Sequence, residues 1–360
     1  MIRPVKHVAA MSPYALARLE VPASKQLISL SQNECLRPPS PMVVESVANV
    51  LEAGHLYPDP DWHALRNALS RLHGIPNEGI LCGNGSMELI GCLTQAFADE
   101  QNSVLAPVHS YPFFRTATKL ARAHYVTAPE RSGIVSVNSL LDAVRPDTSI
   151  VLVANPGNPT GTRIPGVELR RLREGLRGDI LLVIDEAYGE FADHLNEPVF
   201  DLVERGDTVV LRTFSKAYGL AGIRVGWGLF PPDIASEVRK VMNPNNVSAA
   251  GQTAAAAALS DQAYMRETCA LTVSLRDKFV ECLRKAGFEA VESFTNFVLI
   301  RFDDAEKAQR ADAALRAEGV VVRAQDGAGL PECLRVSVGT PEVMDLAAEL
   351  LERWAEGGRA

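Results

Sequence analysis

Ser149-Ile150-Val151-Leu152-Val153, followed almost at once by Asn155-Pro156-Gly157-Asn158-Pro159-Thr160-Gly161, decides the fold class of this 360-residue chain. A short apolar run without polar alternation, closed by turn-forming residues, predicts a strand buried on both faces of a mostly parallel sheet. Similar runs rich in Val, Ile and Leu occur at residues 103–106, 124–126, 180–184, 208–211 and 225–229. Because helical segments separate these runs, the sequence predicts an α/β domain.

The pattern changes after Asn243-Pro244-Asn245-Asn246. An Ala-rich helix, a long amphipathic helix at about residues 264–285 and then a succession of strand, helix, strand, strand and helix predict a smaller α+β domain. The sequence therefore divides into an N-terminal segment (1–40) that joins the small domain, a large domain (41–240) and a small C-terminal domain (241–360). We expect the active-site cleft between the two domains.

Composition limits the partners that the chain can have. Its formal net charge of −8 argues against nucleic acid as the main partner, because phosphate binding needs a dominant basic face. The six cysteines are scattered without metal-ligand spacing, so we expect free thiols and no metal site. No signal-peptide core and no run of membrane-spanning length is present, which predicts a cytoplasmic protein without a membrane partner.

Polar residues follow three neighbouring strands of the predicted sheet. Asn158 comes after the first, Asp185 and Tyr188 after the second, and Lys216 after the third. Taken singly, these residues have ordinary explanations as a turn, a helix N-cap and a solvated lysine. Those explanations do not account for their joint position at the carboxyl ends of neighbouring strands, where open α/β sheets bind ligands.

The chemistry of pyridoxal phosphate (PLP) accounts for this set. A lysine must hold the cofactor aldehyde as an imine, and an acid must pair with the pyridinium nitrogen so that the ring accepts electrons. Lys216 and Asp185 suit these two roles. Asn158 and Tyr188 are placed to donate hydrogen bonds near the ring oxygen. The sequence therefore predicts Lys216, Asp185, Tyr188 and Asn158 as the catalytic residues.

The cofactor phosphate also needs an anion site. Gly83-Asn84-Gly85-Ser86-Met87 leads directly into an apolar helical run, so its backbone N–H groups are predicted to face a bound anion. A plain helix N-cap is the alternative for this turn, and a surface ion pair is the alternative for Arg224. The predicted contacts around the phosphate are Gly85, Ser86, Met87, Thr213, Ser215 and Arg224.

The run from Thr213 to Gly226 resembles the lysine segment of fold-type I aminotransferases, specifically of the histidinol-phosphate aminotransferase family. Residues 56–60 (Leu-Tyr-Pro-Asp-Pro) and 83–90 resemble two further segments of that family, and the resemblance extends over nearly the whole chain. It implies a fold-type I PLP-dependent transferase, with a mostly parallel sheet flanked by helices plus a smaller α+β domain. It also implies ping-pong transfer of an amino group to a keto acid, usually 2-oxoglutarate in this family.

The resemblance further implies roles for two tyrosines. Tyr111 falls where the family stacks an aromatic ring on the cofactor, although from sequence alone it is an ordinary packing residue. Tyr57 falls where the family's tyrosine reaches the phosphate of the other subunit's cofactor. We therefore expect a homodimer with shared active sites.

Substrate residues are expected at both ends of the chain. Arg323 and Arg335 resemble the family's substrate-anion segments, and each lies in or beside an apolar strand where an unpaired guanidinium is costly. A structural carboxylate partner is the alternative. Tyr14 and Asn33 are also expected to contact the substrate.

Several departures leave the donor open. Only Tyr14 remains of the family's Tyr-x-Pro-Gly element, Asn33-Glu34-Cys35-Leu36 replaces Asn-Glu-Asn-Pro, Met87 replaces an aspartate and His109 replaces a proline. Histidinol phosphate and aromatic or other amino acids all remain candidate donors. The nearest rival reaction is decarboxylation, as in threonine-phosphate decarboxylases. A PLP-dependent DNA-binding sensor or a nicotinamide-binding protein is disfavoured, because the chain lacks a DNA-binding module and a G-x-G-x-x-G turn.

Overall fold

The computed structural model describes residues 2–13, 18–195 and 197–357. The strands in these residues are β1 (Ile28–Ser29), β2 (Ile80–Gly83), β3 (Ser103–Pro107), β4 (His124–Ala128), β5 (Thr148–Ala154), β6 (Leu181–Asp185), β7 (Thr208–Thr213), β8 (Gly226–Leu229), β9 (Glu289–Ala290), β10 (Phe297–Arg301), β11 (Val320–Val321), β12 (Arg323–Gln325) and β13 (Leu330–Ser337). The α-helices are α1 (Lys6–Ala9), α2 (Pro41–Val50), α3 (His63–His73), α4 (Ser86–Phe97), α5 (Pro112–Leu120), α6 (Val137–Asp142), α7 (Gly166–Gly175), α8 (Pro232–Val241), α9 (Ala249–Ser260), α10 (Gln262–Lys285), α11 (Ala305–Ala317) and α12 (Pro341–Gly357).

The larger sheet has seven strands in the order β2-β8-β7-β6-β5-β3-β4. Strands β4, β3, β5, β6 and β7 run parallel, while β8 is antiparallel to both β7 and β2. All six apolar runs that the sequence indicated are strands of this sheet, so the predicted α/β class and mostly parallel sheet are confirmed. Strand β2 (Ile80–Gly83), at one edge of the sheet, was missed.

Burial explains why these strands show no polar alternation. Residues 150–153 of β5 and 182–184 of β6 are fully buried, because helices cover both faces of the sheet. Adjacent parallel strands therefore end at one protected edge. The residues that follow β5, β6 and β7 leave the sheet side by side at that edge.

A second, antiparallel sheet has the order β12-β13-β10-β9 and packs against α10, α11 and α12. The N-terminal segment reaches this region, because β1 pairs in parallel with β11. Leu30 belongs to the hydrophobic core of the second sheet, together with the part of α10 from Leu275 onward. Helix α9 and the first half of α10 pack instead with the larger sheet. The domain boundaries after residues 40 and 240 remain predictions.

In the part of the chain that the structure describes, no helix is long and apolar enough to cross a membrane. The same residues contain no cluster of three His, Cys, Asp or Glu side chains that could hold a metal ion. All six cysteines are free thiols.

Candidate active site

A cavity of about 450 Å³ lies at the carboxyl ends of β5, β6 and β7, and β12, β13 and the N-terminal segment close its other side. The sequence-predicted residues that line it are Asn33, Gly85, Ser86, Met87, Tyr111, Asn158, Asp185, Tyr188, Thr213, Ser215, Lys216, Arg224, Arg323 and Arg335. Tyr57 does not line it and is 88% exposed. Tyr14 lies outside the described residues. The fold thus brings fourteen of the sixteen predicted residues to one cavity.

Asp185 ends β6 and is buried at the cavity wall. Its Oδ1 accepts a hydrogen bond from the backbone N–H of Ala187 at 3.2 Å. Burial raises the pKa of Asp185 to about 7, although that hydrogen bond and the charge of Lys216 oppose the shift. No Lys or Arg among the described residues forms an ion pair with it. A buried carboxylate in this state needs a cationic N–H donor from a ligand.

Lys216 follows β7 at the carboxyl edge of the sheet and lines the cavity. Its Nζ donates to the carbonyl oxygen of Asn33 at 3.0 Å and to that of Gln32 at 3.5 Å. Burial, together with the charges of the Arg335 and Arg224 guanidinium groups, lowers the pKa of Lys216 to about 8. The neutral amine, which is the nucleophilic form, is therefore accessible near neutral pH.

Asn158 and Tyr188 connect the larger sheet to the opposite side of the cavity. Oδ1 of Asn158 accepts a hydrogen bond from Nη1 of Arg335 at 2.6 Å, which leaves the amide N–H group of Asn158 as its donor. The hydroxyl oxygen of Tyr188 accepts a hydrogen bond from Nδ2 of Asn33 at 2.8 Å. Both side chains are thus fixed beside the cavity before a ligand binds.

The start of α4 offers an anion site. Gly85 precedes Ser86 with φ 76°, and no side chain caps the first N–H groups of the helix. A Cβ atom on Gly226 would lie 2.3 Å from the backbone nitrogen of Ser86, so only glycine allows β8 to approach the helix this closely. Arg224 donates to Oγ of Ser215 at 3.3 Å on the same side. Helix N–H groups, a hydroxyl and a guanidinium suit a phosphate.

Arg323 and Arg335 lie directly opposite each other in the pairing of β12 with β13. Arg335 is buried and donates to the carbonyl oxygen of Ser31 at 2.9 Å. Like charges opposite each other on adjacent strands are destabilising, so an anion bound between the two guanidinium groups would be stabilised.

Sequence reasoning missed several lining residues, including Ser31, Gln32, Glu34 and Gln325. They carry no motif and become neighbours only through long-range packing. Asn33, which we expected at the substrate, binds protein groups: its amide contacts Tyr188, and its Oδ1 accepts a hydrogen bond from Oγ of Ser337 at 3.2 Å. Its substrate role stays a prediction.

Comparison with known proteins agrees with this geometry. Residues 25–351 match the model of the family described as aminotransferase class I and II. The chain belongs to this family. This aminotransferase is 38% identical over 351 residues to the histidinol-phosphate aminotransferase of Granulibacter bethesdensis, covering 97% of this chain and 95% of that protein. It is 40% identical to the enzyme of the same name from Paramagnetospirillum magneticum, with 95% of each chain covered.

A solved structure is also similar. The histidinol-phosphate aminotransferase from Sinorhizobium meliloti, determined in complex with pyridoxal-5′-phosphate, has a TM-score of 0.88 and 30% identity, with 92% of each chain covered. This chain is accordingly a PLP-dependent aminotransferase of fold type I, as its sequence resemblance implied. The described residues fit the cofactor: Asp185 is a buried carboxylate without a cationic partner, and α4 with Arg224 forms an anion cradle.

Proposed function

We propose that this aminotransferase takes the amino group from histidinol phosphate, or from an amino acid that binds in the same way, and passes it to 2-oxoglutarate. The observation that carries the proposal is the position of Arg323 opposite Arg335 in the wall that faces Lys216. Two guanidinium groups at this place favour a donor with a phosphate or carboxylate group. The names of the relatives that are 38% and 40% identical support histidinol phosphate.

In this proposal the cavity residues divide the work. PLP supplies an electron sink for the negative charge that develops on the donor's α-carbon. Asp185 would pair with the ring nitrogen, and Asn158 and Tyr188 would donate to the ring oxygen. Tyr111 would pack on the ring face. The backbone around Gly85, Ser86 and Met87, together with the side chains of Thr213, Ser215 and Arg224, holds the phosphate.

Lys216 carries the proton. Its Nζ takes a proton from the donor's α-carbon and delivers it on the cofactor side, which requires the neutral amine. Burial and the charges of Arg335 and Arg224 bring the pKa of Lys216 to about 8, so the neutral form is available at little cost. The carbonyl oxygens of Gln32 and Asn33 fix the position of Nζ.

The proposal includes a homodimer with shared active sites. Three apolar residues that precede Tyr57 in sequence are highly exposed: Val44, Leu51 and Leu56 are each more than 60% exposed. Apolar groups concentrated in one surface segment favour contact with a second copy. Sedimentation at working concentration tests this point, and a monomer would contradict it. The cytoplasmic location stays a prediction from the sequence.

The test of the function uses the purified PLP form and a panel of donors: histidinol phosphate and aromatic, basic and acidic amino acids. We expect histidinol phosphate to convert the cofactor to its pyridoxamine form, as seen by absorbance, and 2-oxoglutarate to reverse the change. Release of CO₂ without consumption of a keto acid would select decarboxylation instead. Absence of any conversion despite bound PLP would contradict the proposed donors.

A further inference from the structure

We infer that Glu34 selects the side chain of the donor, by accepting a hydrogen bond from an N–H group of a heteroaromatic ring such as imidazole. The inference rests on the proposed function and deepens it. Arg323 and Arg335 recognise an anion, which phosphorylated and carboxylated donors of many kinds share. Glu34 adds the recognition of the other end of the donor.

None of the roles assigned to the other charged residues of the cavity accounts for Glu34. Among its described lining residues only Glu34 and Asp185 are acidic, and Asp185 is assigned to the ring nitrogen. The basic residues of the wall all have tasks, namely the cofactor phosphate, proton transfer and the donor's anion. A second carboxylate opposes the binding of anionic donors. Its presence is understandable if the donor also brings a positive or N–H group to it.

The backbone around Glu34 is held firmly. Asn33 adopts a left-handed conformation with φ 54°, which is costly for a residue other than glycine. Its N–H donates to Oγ of Ser337 at 2.8 Å, and Nδ2 of Asn296 donates to the carbonyl oxygens of Asn33 and Glu34 at 3.1 and 3.0 Å. The turn therefore presents Glu34 at a fixed place on the cavity edge.

The carboxylate of Glu34 is available to a ligand. Glu34 is exposed, and no side chain among the described residues forms an ion pair or hydrogen bond with its carboxylate. It is also close to the reacting centre, because Nζ of Lys216 donates to the carbonyl oxygen of Asn33, the residue before Glu34, at 3.0 Å. The charge of Glu34 opposes the lowering of the pKa of Lys216. A donor held at Lys216 and at the arginine pair thus has Glu34 within reach.

This arrangement predicts a definite donor chemistry. A donor with a phosphate group and an imidazole ring can bind both charged parts of the cavity, because the phosphate pairs with the two arginines and the imidazole N–H donates to Glu34. A phenyl ring offers the carboxylate no N–H group in place of the water that hydrates it. The arginine pair alone cannot distinguish these donors.

The first experiment compares histidinol phosphate with 2-amino-3-phenylpropyl phosphate, which keeps the phosphate and changes only the ring. We expect Glu34→Gln to lower kcat/KM for the imidazole donor by about threefold to tenfold and to leave the phenyl donor nearly unchanged. Glu78→Gln is the matched control, because Glu78 is an exposed carboxylate outside the cavity. This control should leave the ratio of the two donors unchanged.

A second readout does not depend on turnover. Calorimetry of the holoenzyme with 3-(imidazol-4-yl)propyl phosphate and 3-phenylpropyl phosphate, which keep the chain length of the two donors but have no amino group to transfer, measures ring recognition alone. Glu34→Gln should weaken only the imidazole ligand. The effect should be larger at about pH 6 than at about pH 8, on either side of the ordinary imidazole pKa of about 6.5.

The outcomes separate the inference from the function on which it rests. Equal losses for both rings, or no loss for either, would overturn the role of Glu34 while histidinol phosphate remains a substrate. If neither phosphate donor reacts with the wild-type enzyme, histidinol phosphate fails as the proposed donor, and the calorimetric comparison still decides whether Glu34 recognises the ring.

Discussion

Asp185 and Glu186 are adjacent at the end of β6, yet they lie on opposite faces of the sheet. Asp185 faces the cavity that holds Lys216 and has no cationic partner at ion-pair distance among the described residues. Glu186 lines a second cavity of about 270 Å³, where its carboxylate accepts a hydrogen bond from Nε of Arg212 at 3.0 Å. Arg212 also contacts Glu190 at 3.6 Å and Asp193 at 3.2 Å.

The two carboxylates differ in whether the protein itself supplies a cationic partner, which distinguishes a charge that binds a ligand from one that stabilises the fold. Both carboxylates are buried, and burial raises the pKa of each. The charge of Arg212 opposes this shift at Glu186, so the chain itself supplies the partner there. At Asp185 the chain supplies only a backbone N–H and a nearby lysine. A ligand must complete that face, so we expect turnover to depend on it and folding to depend on the other.

The largest effect is expected at the face of the sheet where Asp185 and Lys216 line the cavity. Lys216→Ala should reduce turnover by at least about 10³-fold, because it removes the group that we propose binds the cofactor and moves the proton. The thermal unfolding midpoint of the apoprotein should stay near that of the wild type. Steady-state rates and calorimetric unfolding measure the two properties. Appreciable turnover over many cycles would remove Lys216 from its central role.

At the opposite face, where Glu186 pairs with Arg212, a substitution should change the stability of the fold rather than turnover. Glu186→Gln removes one partner of a buried ion pair and should lower the free energy of unfolding of the apoprotein by about 3 kcal/mol. Urea denaturation measures it, with Asp185→Asn as the comparison, since that change removes a buried charge without a partner. Should Glu186→Gln leave stability intact and instead weaken cofactor binding, the two faces would not be distinct.

The pH dependence of stability sharpens the comparison. The folded-state pKa of Asp185 is about 7, above its ordinary value of 3.8. Its contribution to the stability of the apoprotein is therefore complete below about pH 4 and is lost as the pH rises to about 7. The loss should be on the order of 2 kcal/mol and should be absent from Asp185→Asn. Unfolding curves of the two apoproteins between these pH values measure it.

Bound cofactor should remove most of this pH dependence, because a protonated ring nitrogen gives Asp185 its partner. A holoenzyme with the same pH dependence as the apoprotein would contradict the assignment of Asp185 to the ring nitrogen.

The smallest effect concerns Lys216. PLP attaches to the neutral amine, so its rate of attachment to the apoprotein should rise with pH and level off above about pH 8. Arg335→Ala removes a positive charge that lowers the pKa of Lys216, and the midpoint should move up by less than about one pH unit. Absorbance follows the reaction. Arg353→Ala, an exposed arginine on α12, is the control that should not move the midpoint.

A large part of the cofactor side of this enzyme could be predicted from the sequence. Asn158, Asp185 and Lys216 each follow a strand whose burial is visible in a local run of apolar residues. Parallel strands then bring those ends to one edge whatever the rest of the chain does. The same local logic identified the turn before α4.

The substrate side depended on contacts that no local pattern encodes. Asn33 meets Ser337 across 304 positions of sequence, and only this contact places Glu34 at the cavity. The position of Arg323 opposite Arg335 follows from the register of β12 on β13. The partner of a buried charge is equally non-local, as Glu186 and Arg212 show. The sequence by itself determined the fold class and predicted that Asn158, Asp185 and Lys216 lie at one edge of the sheet, because these follow from local periodicity and chain direction. Only the tertiary structure decided which charges are paired and which face a ligand, because pairing depends on distances between segments that are far apart in the chain.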